Sequence, residues 1–379
     1  MMRLLIFGTF LALVGLFLHL RFVRATRLGR PWSTVVDLVL VVMWMLALLG
    51  IGSGELFDPA WARIPAWIGL SWLAVVLYLV LGTTLLGAVT LSIRLAAART
   101  RRESAATRLR VTRAGSAVVA AVSVITVGYG AFEAAYPKVT HTTVALDRLP
   151  SEFDGLRVAL VSDLHVGPAR GADFVQRVVD QVNQQTPDMV ILDGDLIDGT
   201  VELVGQDLEP LRQLSAPLGV FGVSGNHDFY ADDGGKWLDL WETLGVSVLR
   251  NQREVVTRYG VGIDVAGIND ATAPAPYEPD LGAALDGRDP SDFVLLLAHQ
   301  PLQALEASDF DVDLQVSGHT HAGQIWPLRY LVRLQQPSVE GLDSIGSTTL
   351  YTTRGAGAWG PPIRVAAPPE IAMLQLVRD

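Results

Sequence analysis

The sequence has 379 residues and contains no cysteine. Disulfide bonds, thiolate zinc sites, iron–sulfur clusters and a cysteine nucleophile are therefore all excluded. Histidine is also scarce, with seven copies, and five of them lie between residues 163 and 323. Any metal site in this chain must be built from imidazole, carboxylate and amide groups.

Basic residues are scarce in the second part of the chain. Residues 138–379 carry 16 Lys and Arg against 34 Asp and Glu, a net charge of −18, whereas residues 1–137 carry 13 against 5, a net charge of +8. Nucleic-acid binding is driven by Lys and Arg that neutralise phosphates. The acidic part therefore argues against a nuclease or any nucleic-acid partner, although an acidic soluble surface alone explains the charge equally well.

Long apolar runs fill residues 1–137. They lie at about 4–20, 34–52, 65–93 and 115–132, and a membrane-spanning helix needs about 20 apolar residues. Arg21 and Arg24 follow the first run where a signal peptide would have its small-residue cleavage site. We therefore predict an all-α membrane region with four transmembrane helices, and three helices are the alternative.

The charged loops predict how these helices are oriented. Four Arg follow the first apolar run and seven follow the third, whereas the loop after the second run carries Glu55, Asp58 and Arg63. Arg-rich loops stay in the cytoplasm. The sequence thus predicts a multi-pass protein of the cell membrane whose residues 138–379 form an extracytoplasmic domain.

Residues 138–379 are expected to form an α/β domain. Apolar strands at 157–161, 189–192 and 220–223 alternate with helices at 172–185 and 203–214, and this rhythm is typical of parallel βαβ units. Further strands are predicted at 246–249, 254–259 and 261–268, which we interpret as a meander, and at 293–298, 313–316, 348–353 and 371–377.

Polar clusters follow several of these strands. In open α/β sheets ligands bind beyond the carboxyl ends of the strands. His319 and His321 are two residues apart, so in an extended or turn segment both face the same way, and metal binding is the commonest reason for such a pair. The candidate residues are Asp163, His165, Asp195, Asn226, His227, Asp228, His299, His319 and His321.

This donor set predicts two divalent cations, with Mn²⁺ first and Fe or Zn²⁺ as alternatives. A pair of metals needs a shared carboxylate, and Asp195, preceded by Gly194, is the candidate bridge. The surplus positive charge would attract a phosphate, and an acidified water would attack phosphorus. His227 is placed to donate a proton to the leaving group, with Asp228 to orient it.

Each cluster has a simpler explanation when it is taken alone. Asp195 suits a turn, Asn226 suits a left-handed turn position, and His299 at a strand end suits a satisfied core position. Asp198 either supports the metal ligands from outside or caps the following helix. The metal-site hypothesis depends on the occurrence of all the clusters together.

The series D-x-H, G-D-x-x-D, G-N-H-D, H and G-H-x-H resembles the calcineurin-like metallophosphoesterase superfamily, and the segments Asp163–Gly167 and Gly318–Gln324 are most similar to its bacterial membrane-associated branch. The resemblance implies a two-sheet α/β/β/α sandwich. It also implies a first metal on Asp163, His165, Asp195 and His321, and a second on Asp195, Asn226, His299 and His319, with His227 as the phosphate-side acid. Asp193 and the four apolar runs depart from the usual family pattern.

The predicted activity is therefore metal-dependent hydrolysis of a phosphoester or pyrophosphate at the membrane surface. The tether raises the hypothesis of a lipid-linked or cell-envelope substrate. The alternatives are a catalytically inactive scaffold of the same fold and a membrane sensor or transporter. The complete ligand set argues against the scaffold, and the few central polar groups in the apolar runs argue against a transport path.

Overall fold

The chain begins with a bundle of long apolar helices. The structure is a computed structural model that describes residues 2–379. Its first four helices are α1 (Met2–His19), α2 (Trp32–Gly52), α3 (Pro59–Arg99) and α4 (Ala105–Ala135), and a π-helical turn at Leu20–Arg24 extends α1. All four are long and apolar enough to cross a membrane. The prediction of four long apolar helices is confirmed.

Helix α3 is longer than a bilayer requires. Asp58 caps its start, because the side chain accepts the N–H of Ala60 at 2.8 Å and Pro59 occupies the first helical position. With 41 residues, α3 is about 60 Å long, roughly twice the thickness of the hydrocarbon core. Part of α3 must therefore lie outside the apolar layer.

The two ends of the bundle differ in their surroundings. At one end the two Arg-rich loops lie side by side, since Arg113 Nε donates to the carbonyl of Thr26 at 2.8 Å. At the other end the α2–α3 turn contacts residues 138–379, where Gly54 accepts the N–H of Thr200 at 2.9 Å. The positive loops and the remainder of the chain are thus at opposite ends of the bundle.

Residues 138–379, which we call the C-terminal domain, contain two six-stranded sheets. The division at residue 138 stays a prediction, although β1 begins there, shortly after α4 ends. The strands are β1 (Lys138–Leu146), β2 (Leu156–Val161), β3 (Met189–Asp193), β4 (Val220–Val223), β5 (Ser247–Val248), β6 (Gln252–Arg258), β7 (Val261–Gly267), β8 (Val294–Leu297), β9 (Leu314–Ser317), β10 (Gly341–Ile345), β11 (Thr348–Thr352) and β12 (Glu370–Arg378). The helices are α5 (Ala172–Gln184), α6 (Val201–Val204), α7 (Gly234–Thr243), α8 (Leu281–Ala284), α9 (Ala304–Ala307) and α10 (Arg329–Val332).

The strand order is β1-β12-β2-β3-β4-β5 in the first sheet and β10-β11-β9-β8-β7-β6 in the second. Strands β2 to β5 are parallel, as are β11, β9, β8 and β7. Strand β12 lies between β1 and β2, parallel to the first and antiparallel to the second. The parallel strands of each sheet therefore direct their carboxyl ends to one edge.

Alternating side chains build the layers. Val158 and Leu160 of β2 point into the core between the two sheets, whereas Ala159 and Val161 face the core that includes Trp237 and Trp241 of α7. This period of two is what a strand buried on both faces produces. Helices α8 and α9 cover the outer face of the second sheet. The domain is the expected α/β/β/α sandwich.

Two predictions about the elements are wrong. The helix expected at 203–214 is a short α-helix, α6, followed by a 3-10 segment at Gly205–Gln213 that contains Pro210, and proline removes a backbone donor inside an α-helix. The expected meander at 246–268 is also absent from the described chain, because β5 pairs with β4 in the first sheet and only β6 and β7 form an antiparallel pair.

Candidate metal centre

The predicted donors meet at the carboxyl ends of strands from both sheets. Asp163 and His165 follow β2, Asp195 follows β3, Asn226 and His227 follow β4, His299 follows β8, and His319 and His321 follow β9. With the exception of His227 and His319, which are partly exposed, these side chains are buried. Residues separated by more than 150 positions thus form one cluster.

Glycines and unusual backbone angles allow these turns to approach one another. A Cβ on Gly225 would lie 2.3 Å from Asp195 Oδ1, and a Cβ on Gly318 would lie 2.5 Å from Asp163 Oδ2. Asp163 and Asp195 themselves have positive φ angles of 59° and 51°. Such angles cost free energy in residues other than glycine and cluster at functional sites. The backbone is therefore strained where the carboxylates converge.

Three groups of side chains bring their donor atoms within 4.8 Å of one another. The groups are Asp163 with His165 and His321, His165 with Asp195 and His227, and Asp195 with His299 and His319. Asp195 belongs to two of them, and its Oδ2 lies 3.2 Å from His299 Nε2 and 3.8 Å from His165 Nε2. The arrangement suits divalent metal ions, with Asp195 at its centre.

His299 and Asn226 each direct an unpaired atom into the cluster. His299 Nδ1 lies 2.6 Å from the carbonyl of Asp193 and must donate to it, so in the neutral ring Nε2 carries the lone pair. In spite of its proximity to Asp195, Nε2 has no hydrogen-bond partner within residues 2–379. The buried Oδ1 of Asn226 also lacks one there, whereas Nδ2 donates to the Tyr230 hydroxyl at 2.8 Å. A bound cation would satisfy both atoms.

The protonation states of Asp163, Asp195 and His321 suit a bound cation. Burial lowers the pKa of His321 to about 3, and Arg364 acts in the same direction, so the ring is neutral. Burial alone would raise the pKa of Asp163 and Asp195, but His321 holds the first and His299 the second below the usual range. Neutral imidazole and ionised carboxylate are the forms that ligate metals, and His299, whose pKa Asp195 raises in spite of burial, would release its proton when a cation binds.

His227 is oriented by Asp198 rather than by Asp228. Nδ1 of His227 lies 2.6 Å from Asp198 Oδ1, and the same oxygen is 3.2 Å from Nδ1 of His165. The Asp228 carboxylate instead accepts the backbone N–H groups of Asp195, Leu196 and Gly225. The orienting role predicted for Asp228 is wrong, because consecutive residues of a turn point in different directions.

Asp198 and Asp228 thus have separate tasks. Burial lowers the pKa of His227, but Asp195 and Asp198 outweigh this effect and raise it to about 9. Burial raises the pKa of Asp228 to about 8. Asp198 holds a proton-bearing His227, and Asp228 fixes the backbone that carries Asp195.

Arg364 is a supporting residue that the motifs did not single out. It is fully buried, its Nη1 donates to the carbonyl of His321 at 2.8 Å, and its Nη2 lies 2.9 Å from His321 Nδ1. Nε donates to the carbonyl of Gly357 at 2.8 Å. The sequence signal was a single Arg within an apolar, proline-rich segment at 361–369, which suggests a buried charge with a structural partner.

A cavity of about 920 Å³ opens from the cluster toward the membrane helices. His165, Asp195 and His227 form part of its wall, and so do Leu4 of α1 and Leu73 of α3. Such a volume lies near the upper end of the range of ligand sites, which is roughly 300–1,000 Å³. The sequence predicted that these side chains cluster, but it did not predict their connection with the four apolar helices.

Comparison with known proteins supports this description. Residues 156–323 match the family model of calcineurin-like phosphoesterase. The chain is 41% identical over 247 residues to a metallophosphoesterase of Helicobacter pylori, with 64% of this chain and 65% of the relative covered. It is 38% identical over 259 residues to a transmembrane protein with metallophosphoesterase domain of Danio rerio, with 65% and 59% covered.

A third relative is matched over most of its length. The metallophosphoesterase YkuE of Bacillus subtilis is 32% identical over 260 residues, which are 66% of this chain and 90% of that protein. By contrast, this chain spans a little under two thirds of the length of the Helicobacter and Danio relatives. The similarity is therefore concentrated in a region of about the size of the C-terminal domain.

Proposed function

Because this chain belongs to the calcineurin-like metallophosphoesterase superfamily, we propose that it hydrolyses a phosphoester or pyrophosphate bond with a dinuclear metal centre at the membrane surface. One observation carries the dinuclear proposal: Asp195 is shared by two groups of donors, one with His165 and one with His299 and His319. A carboxylate between two ligand groups is the arrangement that a pair of metals requires.

The residues divide into two ligand sets. The first metal would be held by Asp163, His165, Asp195 and His321, and the second by Asp195, Asn226, His299 and His319. Mn²⁺ is the preferred occupant, with Fe and Zn²⁺ as alternatives, since the donors are imidazole, carboxylate and amide. Two divalent cations supply positive charge that polarises the phosphoryl group and lowers the pKa of water.

The protein supplies orientation and a proton. Asp198 holds Nδ1 of His227, and His227 lies on the cavity wall. In the reaction the oxygen of water bonds to phosphorus, the bond from phosphorus to the leaving oxygen breaks, and His227 gives its proton to that oxygen. The water proton passes to solvent or buffer, and solvent reprotonates His227.

We further propose that the C-terminal domain is extracytoplasmic. The Arg-rich loops lie at the end of the bundle remote from it, and such loops stay cytoplasmic. This orientation would give the active site access to a lipid-linked or cell-envelope substrate. The net charge of −18 for residues 138–379 disfavours nucleic acid.

Asp195→Ala in the full-length, detergent-solubilised protein tests the central claim. We expect it to lose metal and to lower the hydrolysis of p-nitrophenyl phosphate by about 10³-fold or more, because both ligand sets lose a member. The measurements are metal content by mass spectrometry and turnover with added Mn²⁺. The matched control is Asp286→Ala, which removes an exposed carboxylate of the same domain.

Two outcomes would contradict the proposal. Full turnover by metal-stripped wild-type protein would exclude the metal mechanism. A wild-type protein that binds no metal and cleaves no phosphate ester would instead be the inactive scaffold or sensor considered from the sequence.

A further inference from the structure

The apolar wall of the cavity comes from one stripe of a membrane helix. Leu70, Leu73, Ala74 and Leu77 of α3 all line the cavity, and their spacing of three and four places them on one helical face. Leu4 and Phe7 of α1 also line it. The helices that anchor the protein therefore form part of the same space as the metal donors.

The C-terminal domain completes this wall with a surface suited to the bilayer. Ile325 and Leu328 line the cavity. Next to them Tyr330, Leu331 and Leu334 are 61%, 60% and 81% exposed. Exposed aromatic and aliphatic side chains around an apolar opening mark membrane contact. The position of this segment is fixed against α3, because the Tyr78 hydroxyl donates to the carbonyl of Trp326 at 2.7 Å.

The opposite wall of the cavity is polar and charged. It contains the metal donors and His227, together with Arg3 at the start of α1. Arg3 Nη1 donates to the carbonyl of Tyr230 at 3.1 Å, and Tyr230 is hydrogen-bonded to Asn226. The cavity thus combines a cation-binding end with a hydrocarbon-lined end, and the matching ligand is an amphiphile with an anionic head.

We propose that the cavity holds one lipid phosphate drawn from the bilayer, with the phosphate at the metal centre and a hydrocarbon chain along the α3 stripe. This inference rests on the proposed hydrolase function and names its substrate class. A soluble phosphate ester would leave the apolar wall without a partner. The energetic reason is that a hydrocarbon chain drawn out of the bilayer would be exposed to water unless it lies along an apolar wall.

The test compares substrates that share one scissile bond and differ only in chain length. For monoester cleavage the pair is dihexanoyl and dioleoyl phosphatidic acid. For diester cleavage the pair is ethyl and hexadecyl p-nitrophenyl phosphate. All four substrates are presented in the same detergent micelles with Mn²⁺. We expect kcat/KM of the wild-type, full-length protein to be about tenfold or more higher for the long chain of at least one pair.

Leu77→Trp tests the α3 stripe directly, because the larger side chain would fill part of the cavity at that wall. Leu85→Trp is the matched control on the same helix, since Leu85 is 68% exposed and does not line the cavity. We expect Leu77→Trp to lower kcat/KM for the preferred long-chain substrate by about tenfold or more and to leave the short-chain value within about twofold. Leu85→Trp should change neither value.

The outcomes separate the two proposals. The lipid inference would be overturned if the wild-type protein cleaved short-chain and long-chain substrates at equal rates and if Leu77→Trp and Leu85→Trp had the same kcat/KM values. The hydrolase function would still stand. Loss of both the short-chain and the long-chain activity in Leu77→Trp would indicate misfolding. In that case Leu73→Ala, which enlarges the cavity at the same wall, must lower the selectivity for the long chain, or the inference fails. Absence of any cleavage by the wild-type protein would overturn the proposed function itself.

Discussion

A single carboxylate, Asp198, links His165 to His227. Its Oδ1 contacts Nδ1 of His165 at 3.2 Å and Nδ1 of His227 at 2.6 Å. Since Nδ1 of each ring is engaged in this way, Nε2 of each ring is directed toward the cluster and the cavity. The same carboxylate therefore sets the orientation of both imidazole rings.

The role of His227 can be separated from a structural role by the choice of leaving group. We expect His227→Asn to lower kcat by about 10²–10⁴-fold for an alkyl phosphate, whose leaving oxygen needs a proton. For p-nitrophenyl phosphate, whose leaving oxygen is stable as an anion, the loss should be less than about tenfold. Steady-state turnover of the two substrates, with metal content measured in parallel, checks this.

The control for this prediction is His141→Asn, because His141 is an exposed residue of β1, and it should leave both rates unchanged. An equal loss on both substrates in His227→Asn would show that His227 supports the site without donating a proton.

Most of the clustered side chains could be identified from the sequence because each follows a strand end and belongs to a residue type that metals prefer. Asp163, Asp195 and His299 satisfy both criteria. The hydrogen-bond partner of His227 could not be predicted in the same way. Asp198 and Asp228 are both candidates from the sequence, and only the folded turn shows which carboxylate contacts the ring. Arg364 reaches His321 from 43 positions away, a contact that no local pattern encodes.

Among the elements, the α2–α3 turn connects the membrane region to the active-site loop. Gly54 has φ +87°, and a Cβ added to it would lie 2.6 Å from the carbonyl oxygen of Asp198. Thr200, two residues beyond Asp198, donates its N–H to Gly54. The backbone of this turn therefore supports the loop that orients His227.

Gly54→Ala should impair catalysis although it lies in the membrane region. The methyl group must displace either the turn or the Asp198 backbone, and a displacement of about 1 Å can cost roughly 10²-fold in rate. Turnover of p-nitrophenyl phosphate by the full-length protein measures the loss. Gly29→Ala, in the loop at the other end of the bundle with nothing within 4 Å of the added Cβ, is the control and should behave as wild type. Equal rates for the two variants would show that the α2–α3 turn does not help to position the residues of the site.

Elements were predictable where the hydrophobic pattern was local and strong. Strand β4 and helix α5 were placed almost at their observed bounds, because buried runs and a one-sided apolar face define them. Strand β1, with a mainly polar sequence and an exposed face, had no comparable signal. The sheet to which β5 belongs depends on a parallel pairing with β4, and such pairing is a property of the assembled fold.

At the scale of the whole molecule, the absence of cysteine offers a direct test of orientation. We expect Ser151→Cys, in the C-terminal domain, to react with a membrane-impermeant maleimide on intact cells. Glu103→Cys, in the Arg-rich loop between α3 and α4, should react only after the membrane is permeabilised. Both positions are exposed, so the difference reports the side of the membrane.

The natural sequence provides the blank for this experiment, because it has no thiol to label. Labelling of Glu103→Cys but not Ser151→Cys on intact cells would reverse the proposed orientation and place the phosphoesterase in the cytoplasm.

The position of β12 determines the order in which this protein can be made. Residues 370–378 lie between β1 and β2, so β1 has no sheet partner until they have been synthesised, whereas β2 can already pair with β3. Glu370, at the start of β12, also accepts the N–H of Arg354 at 2.9 Å, beside the loop that packs on Asp163. Helix insertion can proceed during translation, but the first sheet is complete only after residue 378 has been synthesised, and an exported domain would cross the membrane as an extended polypeptide before it assembles.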